Sequence, residues 1–220
     1  MFFAAELFKM GERCFLEVFV FPLVNITLFP RMTKPLHIFE PRYIQLVEKA
    51  AEIQMPVALA FVEDPLQVGP VKPGTHLPYV KSIAGYGKVQ VIERRPYENL
   101  LIFIYGEGKV QLGPLLDTQT PYLVCSAEVV PEKNEIDESL AGSVKALESI
   151  IHRWIRKHVA DPNQQKIFIQ NITGPKEIVG AFASYLVEDY DLQQIVLEMN
   201  DINEQIQFLI RLVGSNRILR

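Results

Sequence analysis

Apolar residues in the first 130 positions come in short runs rich in β-branched and aromatic side chains, each closed by proline or glycine, which is the pattern of strands. It predicts strands over 15–23, 57–62, 80–92, 100–105 and 122–130, with the polar stretch 93–99 as a hairpin loop. One helix interrupts them: Pro41 suits a first helical position, and Tyr43, Ile44, Val47 and Ala51 recur at helical spacing. Phe39 and Tyr43, on either side of that helix start, are read as core residues.

After Pro131 the period changes to that of helices. Val144, Leu147, Ile151 and Trp154 form the stripe of a helix ending near His158. Asp161-Pro162-Asn163-Gln164 then offers an N-cap, a first-turn proline and a capping-box glutamine. Gly174-Pro175 starts a further helix with Ile178, Phe182 and Tyr185/Leu186 on one face. Asp201 with Glu204 starts the last, which stops at Gly214. The acidic stretch 132–138 is the junction, so the chain divides into a β-rich part, 1–131, and a helical part, 132–220.

Size and charge narrow the function classes. The 220 residues are 49% hydrophobic and 22% charged, enough for real cores. The net charge is −4, and neither part is basic: 12 Lys+Arg face 13 Asp+Glu in 1–130, and 10 face 13 in 131–220. That balance argues against duplex-phosphate binding, and nucleic acid is not the expected partner. The start, Met1 to Lys9, has no basic leader region and meets Glu6 and Lys9 early, and no run of eighteen apolar residues follows. No membrane association is expected. Cys14 and Cys125 sit singly in apolar stretches and read as buried, reduced thiols, which favours a cytoplasmic protein.

Catalytic signatures are missing. Gly85-Tyr86-Gly87-Lys88 and Gly106-Glu107-Gly108-Lys109 are each followed by valine and lack the first glycine of a phosphate loop, so these glycines read as turns or bulges in strands. No Gly-x-Ser-x-Gly occurs, and His37, His76, His152 and His158 have no metal-ligand spacing with the cysteines. The expectation is a protein that is not an enzyme, with no cofactor and no metal.

The densest segment runs from Phe21 to Tyr43. Pro22, Pro30 and Pro35 restrict φ and remove ladder donors, so the chain must turn between short extended pieces before the helix at Pro41. Phe21-Pro22-Leu23, Leu28-Phe29-Pro30 and Pro35-Leu36-His37-Ile38-Phe39-Glu40-Pro41-Arg42-Tyr43 closely resemble the opening of the N-terminal substrate-binding domain of Lon proteases. Ile83-Ala84-Gly85, Tyr105 to Val110 and Pro121-Tyr122-Leu123 resemble its later strands, though Lys109-Val110 stands where that family carries an arginine–aromatic pair. The stretches 174–186 and 192–212 resemble its two closing helices, so the likeness covers most of 14–214.

The resemblance implies an α+β fold: a PUA-like β pseudo-barrel carrying one helix, then a helical bundle. It also implies a non-catalytic module for unfolded or apolar polypeptide, serving as an ATP-independent proteolysis adaptor with a protease or chaperone as partner. The ATPase and protease modules of Lon have neither room nor motif here, so the chain reads as a stand-alone domain protein or an excised fragment. Glu40 and Arg42, at the positive end of the helix, are the candidate client-binding residues, with a loop-pinning role as the alternative. Arg153, Arg156 and Lys157 form a second candidate, a basic face that an RNA-binding PUA-like protein would use. A merely solvated face is favoured, because no aromatic platform accompanies these residues in sequence. An enzyme whose site is assembled from remote residues is the third alternative.

Overall fold

The computed structural model describes residues 8–10, 13–95 and 99–215, which fall into two compact units, 1–130 and 131–220. The first seven residues and the tip of the expected hairpin, 96–98, lie outside the described residues.

Among its described residues the first unit holds seven strands: β1 (Phe8–Met10), β2 (Arg13–Leu23), β3 (Thr33–Ile38), β4 (Val57–Phe61), β5 (Ile83–Arg95), β6 (Asn99–Leu115) and β7 (Leu123–Val129). Five of them close into a ring, β2–β4–β5–β6–β7 and back to β2, so the barrel has no open seam. All its pairs are antiparallel except β2 with β4. Parallel neighbours need a long crossover, and β3 with α1 (Pro41–Ile53) supplies it. β1 adds to β2, and β3 adds to the upper half of β6 as an edge strand.

Alternation along β2 and β4 sorts side chains by size. Val18, Val20, Ala58 and Ala60 pack inside the barrel with Cys125, whereas Phe19, Phe21, Val57 and Leu59 pack on the other face under α1. Strands buried on both sides read as unbroken apolar runs, which is why these two were legible. α1 begins on Pro41 and contributes Tyr43, Leu46, Val47 and Ala50 to that second core. It stops where Gln54 takes a left-handed conformation (φ 57°). The Cys125 thiol is fully buried, and burial pushes it up to about 12. Site-resolved labelling with a neutral-pH disulfide reagent should therefore leave Cys125 unmodified until denaturant opens the barrel; prompt native-state modification would contradict this packing. Cys14 is only half-buried, so the expectation of two buried thiols holds for one.

The loop 24–32 lies directly on the sheet. A Cβ added to Gly85 would stand 1.8 Å from the Leu28 carbonyl oxygen, and one added to Gly106 would stand 2.2 Å from that of Phe29. Arg31 N–H donates to Gly106, and Gly106 N–H to Met32, locking the loop down. These glycines permit a close backbone approach, as does Gly87, which lies at the register shift between β5 and β6 where Glu107 of β6 is the extra residue.

The second unit carries α2 (Ala141–His158), α3 (Pro162–Asn171), α4 (Pro175–Leu186), α5 (Tyr190–Glu198) and α6 (Ile202–Gly214). Leu147, Ile151 and Ile155 are the buried stripe of α2, with Trp154 at its margin. Asp161 accepts from Asn163 N–H as an N-cap, but it is Gln165, not Gln164, that reaches back, donating to the Val159 carbonyl at 2.7 Å. The stretch 192–212, likened as a whole to one closing helix, is two: the chain leaves α5 at Met199, and Asp201, the helix start read from the sequence, caps α6 through Asn203 N–H at 2.8 Å.

Asp201 also meets Lys133 Nζ at 2.9 Å, tying the start of this unit to α6. The hydrogen bond from Lys133, followed by that from the Asn203 backbone, holds the Asp201 carboxyl below its ordinary pKa of 3.8. A lowered folded-state value means the contribution is complete above 3.8 and is lost as pH falls through the folded value. Melting of the helical unit should thus lose stability on acidification more steeply in wild type than in Asp201→Asn. Parallel pH profiles would contradict the pairing.

Candidate functional site

Over 100–105 β6 is apolar on both faces; one face is buried, and on the other Leu101 and Phe103 are half-buried and Tyr105 is exposed. Leu100, Ile102 and Ile104 point into the core beneath α1, so by alternation Leu101, Phe103 and Tyr105 point outward. Register sets Thr33, Pro35 and His37 of β3 beside Tyr105, Phe103 and Leu101, and sets Lys88 and Gln90 of β5 on their other side. The rings of Phe103 and Tyr105 meet edge to face, with centroids 6.3 Å apart, and the Tyr105 hydroxyl donates to Gln90 Oε1 at 3.0 Å. Tyr105 is 41% exposed and Ile92 44%, so this sheet face presents aromatic and aliphatic surface to water, bordered by the Lys88–Glu107 pair.

Phe39 stands where β3 passes into α1, and it is 71% exposed. That overturns its reading as a core residue; Tyr43 is buried as expected, 4.2 Å from the Phe21 ring. The helical spacing begins only at Pro41, so Phe39 belongs to the corner, where no element covers it. A groove of about 480 Å³ lies beside α1, lined by Pro41, Ile44, Glu48, Arg94, Asn99 and Leu100, with Arg94 donating to Glu48 across it.

Glu40 and Arg42 face one another. Arg42 Nε donates to Glu40 Oε2 at 3.1 Å, and the guanidinium lies 4.5 Å from the Tyr43 ring centroid. The Glu40 carboxylate makes no capping bond to the first turn of α1. Both side chains are about half exposed, and a surface pair of this kind contributes roughly 0–1 kcal/mol. Nearby, on the inner face of β3, burial lowers the pKa of Lys34.

The basic candidates sit apart, in the other unit. Arg153, Arg156 and Lys157 are exposed on the last turns of α2, and none forms an ion pair with a described residue. An aromatic platform does accompany them, contrary to the sequence expectation. His158 stacks on Trp154 (centroids 4.7 Å), Trp154 on Tyr185 (5.5 Å), and Phe168 meets Tyr185 edge to face. These rings come from α2, α3 and α4, so only packing gathers them. Among the described residues no three His, Cys, Asp or Glu side chains gather as metal ligands, and no helix is long and apolar enough to cross a membrane.

A β unit closed into a barrel and a helical unit after it in the chain make an α+β protein. Residues 17–214 match the ATP-dependent protease La (LON) substrate-binding domain, and the chain belongs to that family. It is 26% identical over 191 residues to the Lon protease of Dictyoglomus thermophilum, covering 86% of this chain and 23% of that protein. Against Escherichia coli Lon protease the identity is 21% over 203 residues, covering 91% and 25%. The chain thus spans about a quarter of the length of these relatives. Its fold is that of the N-terminal domain of the Mycobacterium avium complex Lon protease (TM-score 0.65, 16% identity, 91% of this chain and 99% of that one). A Lon N-terminal domain protein from Xanthomonas campestris is equally similar (TM-score 0.64, 13% identity, 89% and 97%).

Proposed function

We propose that this chain is a non-catalytic recognition module whose outer sheet face, centred on Phe103 and Tyr105 with Leu101, Pro35 and Ile92 around them and Phe39 at the corner, holds apolar segments of unfolded polypeptide. The observation that carries the reading is that β6 is apolar on both faces over 100–105 while its outer face is left partly open to water. An antiparallel sheet with one solvated face ordinarily alternates apolar with polar, and contiguous exposed apolar surface marks interaction sites. Pro35 removes a donor from the short edge strand β3, which blunts recognition by strand addition. Side-chain burial is left as the driving term, and it makes binding weak, tolerant of client sequence and insensitive to salt.

Glu40 and Arg42, paired with each other, pin the corner that displays Phe39 and do not themselves hold the client. In this reading the module works in the cytoplasm without ATP, as an adaptor that presents clients to a protease or chaperone. The test is equilibrium binding of a fluorescently labelled, reduced and alkylated protein beside its native folded form. Saturable binding of the unfolded form alone, unchanged between low and moderate salt, is expected. Absence of binding, or equal binding of the folded form, would sink the proposal.

A further inference from the structure

The helical unit carries a second surface whose chemistry differs from that of the apolar sheet face. Along α2, Arg153 and Lys157 form one i, i+4 row, and Trp154 and His158 form the adjacent row. Arg156, three residues after Arg153, flanks that row on the side away from the rings. His158 is exposed, and its Nδ1 lies 2.9 Å from the Trp154 carbonyl oxygen. A carbonyl can only accept, so Nδ1 carries the hydrogen, and the ring is fixed as the outermost plate of the Trp154–Tyr185 stack.

Arg153, Lys157 and Lys166 of α3 are exposed and have no ion-pair partner among the described residues. Of the nearby acids in sequence, Glu148 lies five residues before Arg153, outside the i, i+3 and i, i+4 positions that would bring the two together, and Asp161 caps α3. Cations in the last turn of α2 complement the helix dipole, but the dipole accounts neither for Arg153 nor for a stack of rings ending in an exposed one.

We propose that this face binds single-stranded nucleic acid, with a base stacking on the outer plate at His158 and the phosphates following Arg153 and Lys157. Unpaired cations beside aromatic plates suit a chain of planar bases joined by phosphates; an acidic peptide would satisfy the cations and leave the ring plate unused. The binding is sequence-tolerant, since no buried polar group reads base edges, and it is independent of the sheet face.

Trp154 is the sole tryptophan, so its fluorescence reports on the site directly. Titration with oligouridylate and oligothymidylate of about twelve nucleotides should quench it, with a log–log salt slope of about −1.4 for the two phosphate contacts. The double variant Arg153→Gln/Lys157→Gln should weaken binding about tenfold or more and flatten the slope. His158→Ala should weaken it about fivefold or more while leaving the slope unchanged. All three residues are exposed, and helical circular dichroism checks that the variants fold. No quenching at several hundred micromolar oligonucleotide, unchanged affinity in the folded variants, or equal quenching by polyglutamate would each overturn the proposal.

Discussion

Replacing Gly85 with alanine should unfold the β unit at temperatures where wild type is intact. The new methyl would lie 1.8 Å from the carbonyl oxygen of Leu28, a backbone atom, so no side-chain rotation relieves the clash. Either β5 bends away from the barrel or the loop 24–32 lifts, and lifting it exposes Leu28 and Phe29, both buried at 2% exposure or less. Overpacking a tight core typically costs about 1–3 kcal/mol, and with backbone on both sides of the contact the cost should lie at or above the upper end. At about 2–4 °C per kcal/mol for a chain of this size, the melting temperature of this unit should fall by roughly 6 °C or more. Gly142, near the start of α2 with no atom within 4 Å of an added Cβ, is the control. Gly142→Ala should leave the helical unit unchanged or stabilise it slightly. If Gly85→Ala melts like wild type, the loop does not press on the sheet as described.

The double variant Phe103→Ala/Tyr105→Ala should abolish most client binding while the fold survives. Both side chains lie on the outer face of β6, and their inner neighbours Ile102 and Ile104 hold the strand in the core. Truncating central aromatic anchors commonly costs 2 kcal/mol or more, so affinity for an unfolded client should drop by about thirtyfold or more. Phe39→Ala should show a smaller loss with no change in melting temperature, because that ring is mostly solvated already. Glu40→Ala and Arg42→Ala should shift stability by less than about 1 kcal/mol and leave affinity per folded molecule unchanged. Undiminished affinity in the Phe103/Tyr105 variant would remove the sheet face as the binding surface. An effect of Glu40→Ala on affinity alone would return the site to the start of α1.

The two surfaces differ in how far local pattern exposes them. The Leu100–Tyr105 run is apolar at every position, which by itself announces a strand with two apolar faces. Which face is covered depends on α1 packing over Leu100, Ile102 and Ile104, and that is a matter of crossover topology. Phe39 looks like core for the same reason: it is an aromatic beside a helix start, and only the corner geometry leaves it in water. β3 was hidden because Pro35 reads as punctuation, yet on an edge strand a missing donor costs no ladder bond on the outward side. The platform around Trp154 joins residues from three helices, a proximity that no linear spacing encodes.

Local chemistry alone placed the change from strands to helices near Pro131, the prolines that start α1, α3 and α4, and the aspartates that cap α3 and α6, because each depends on neighbours within one turn or one pleat. The closed ring of five strands, the glycines beneath Leu28 and Phe29, the exposure of Phe39 and Tyr105 and the half-burial of Phe103 were decided in three dimensions. Each depends on which distant segment arrives to cover a surface, and a residue's own type and neighbours carry no record of that arrival.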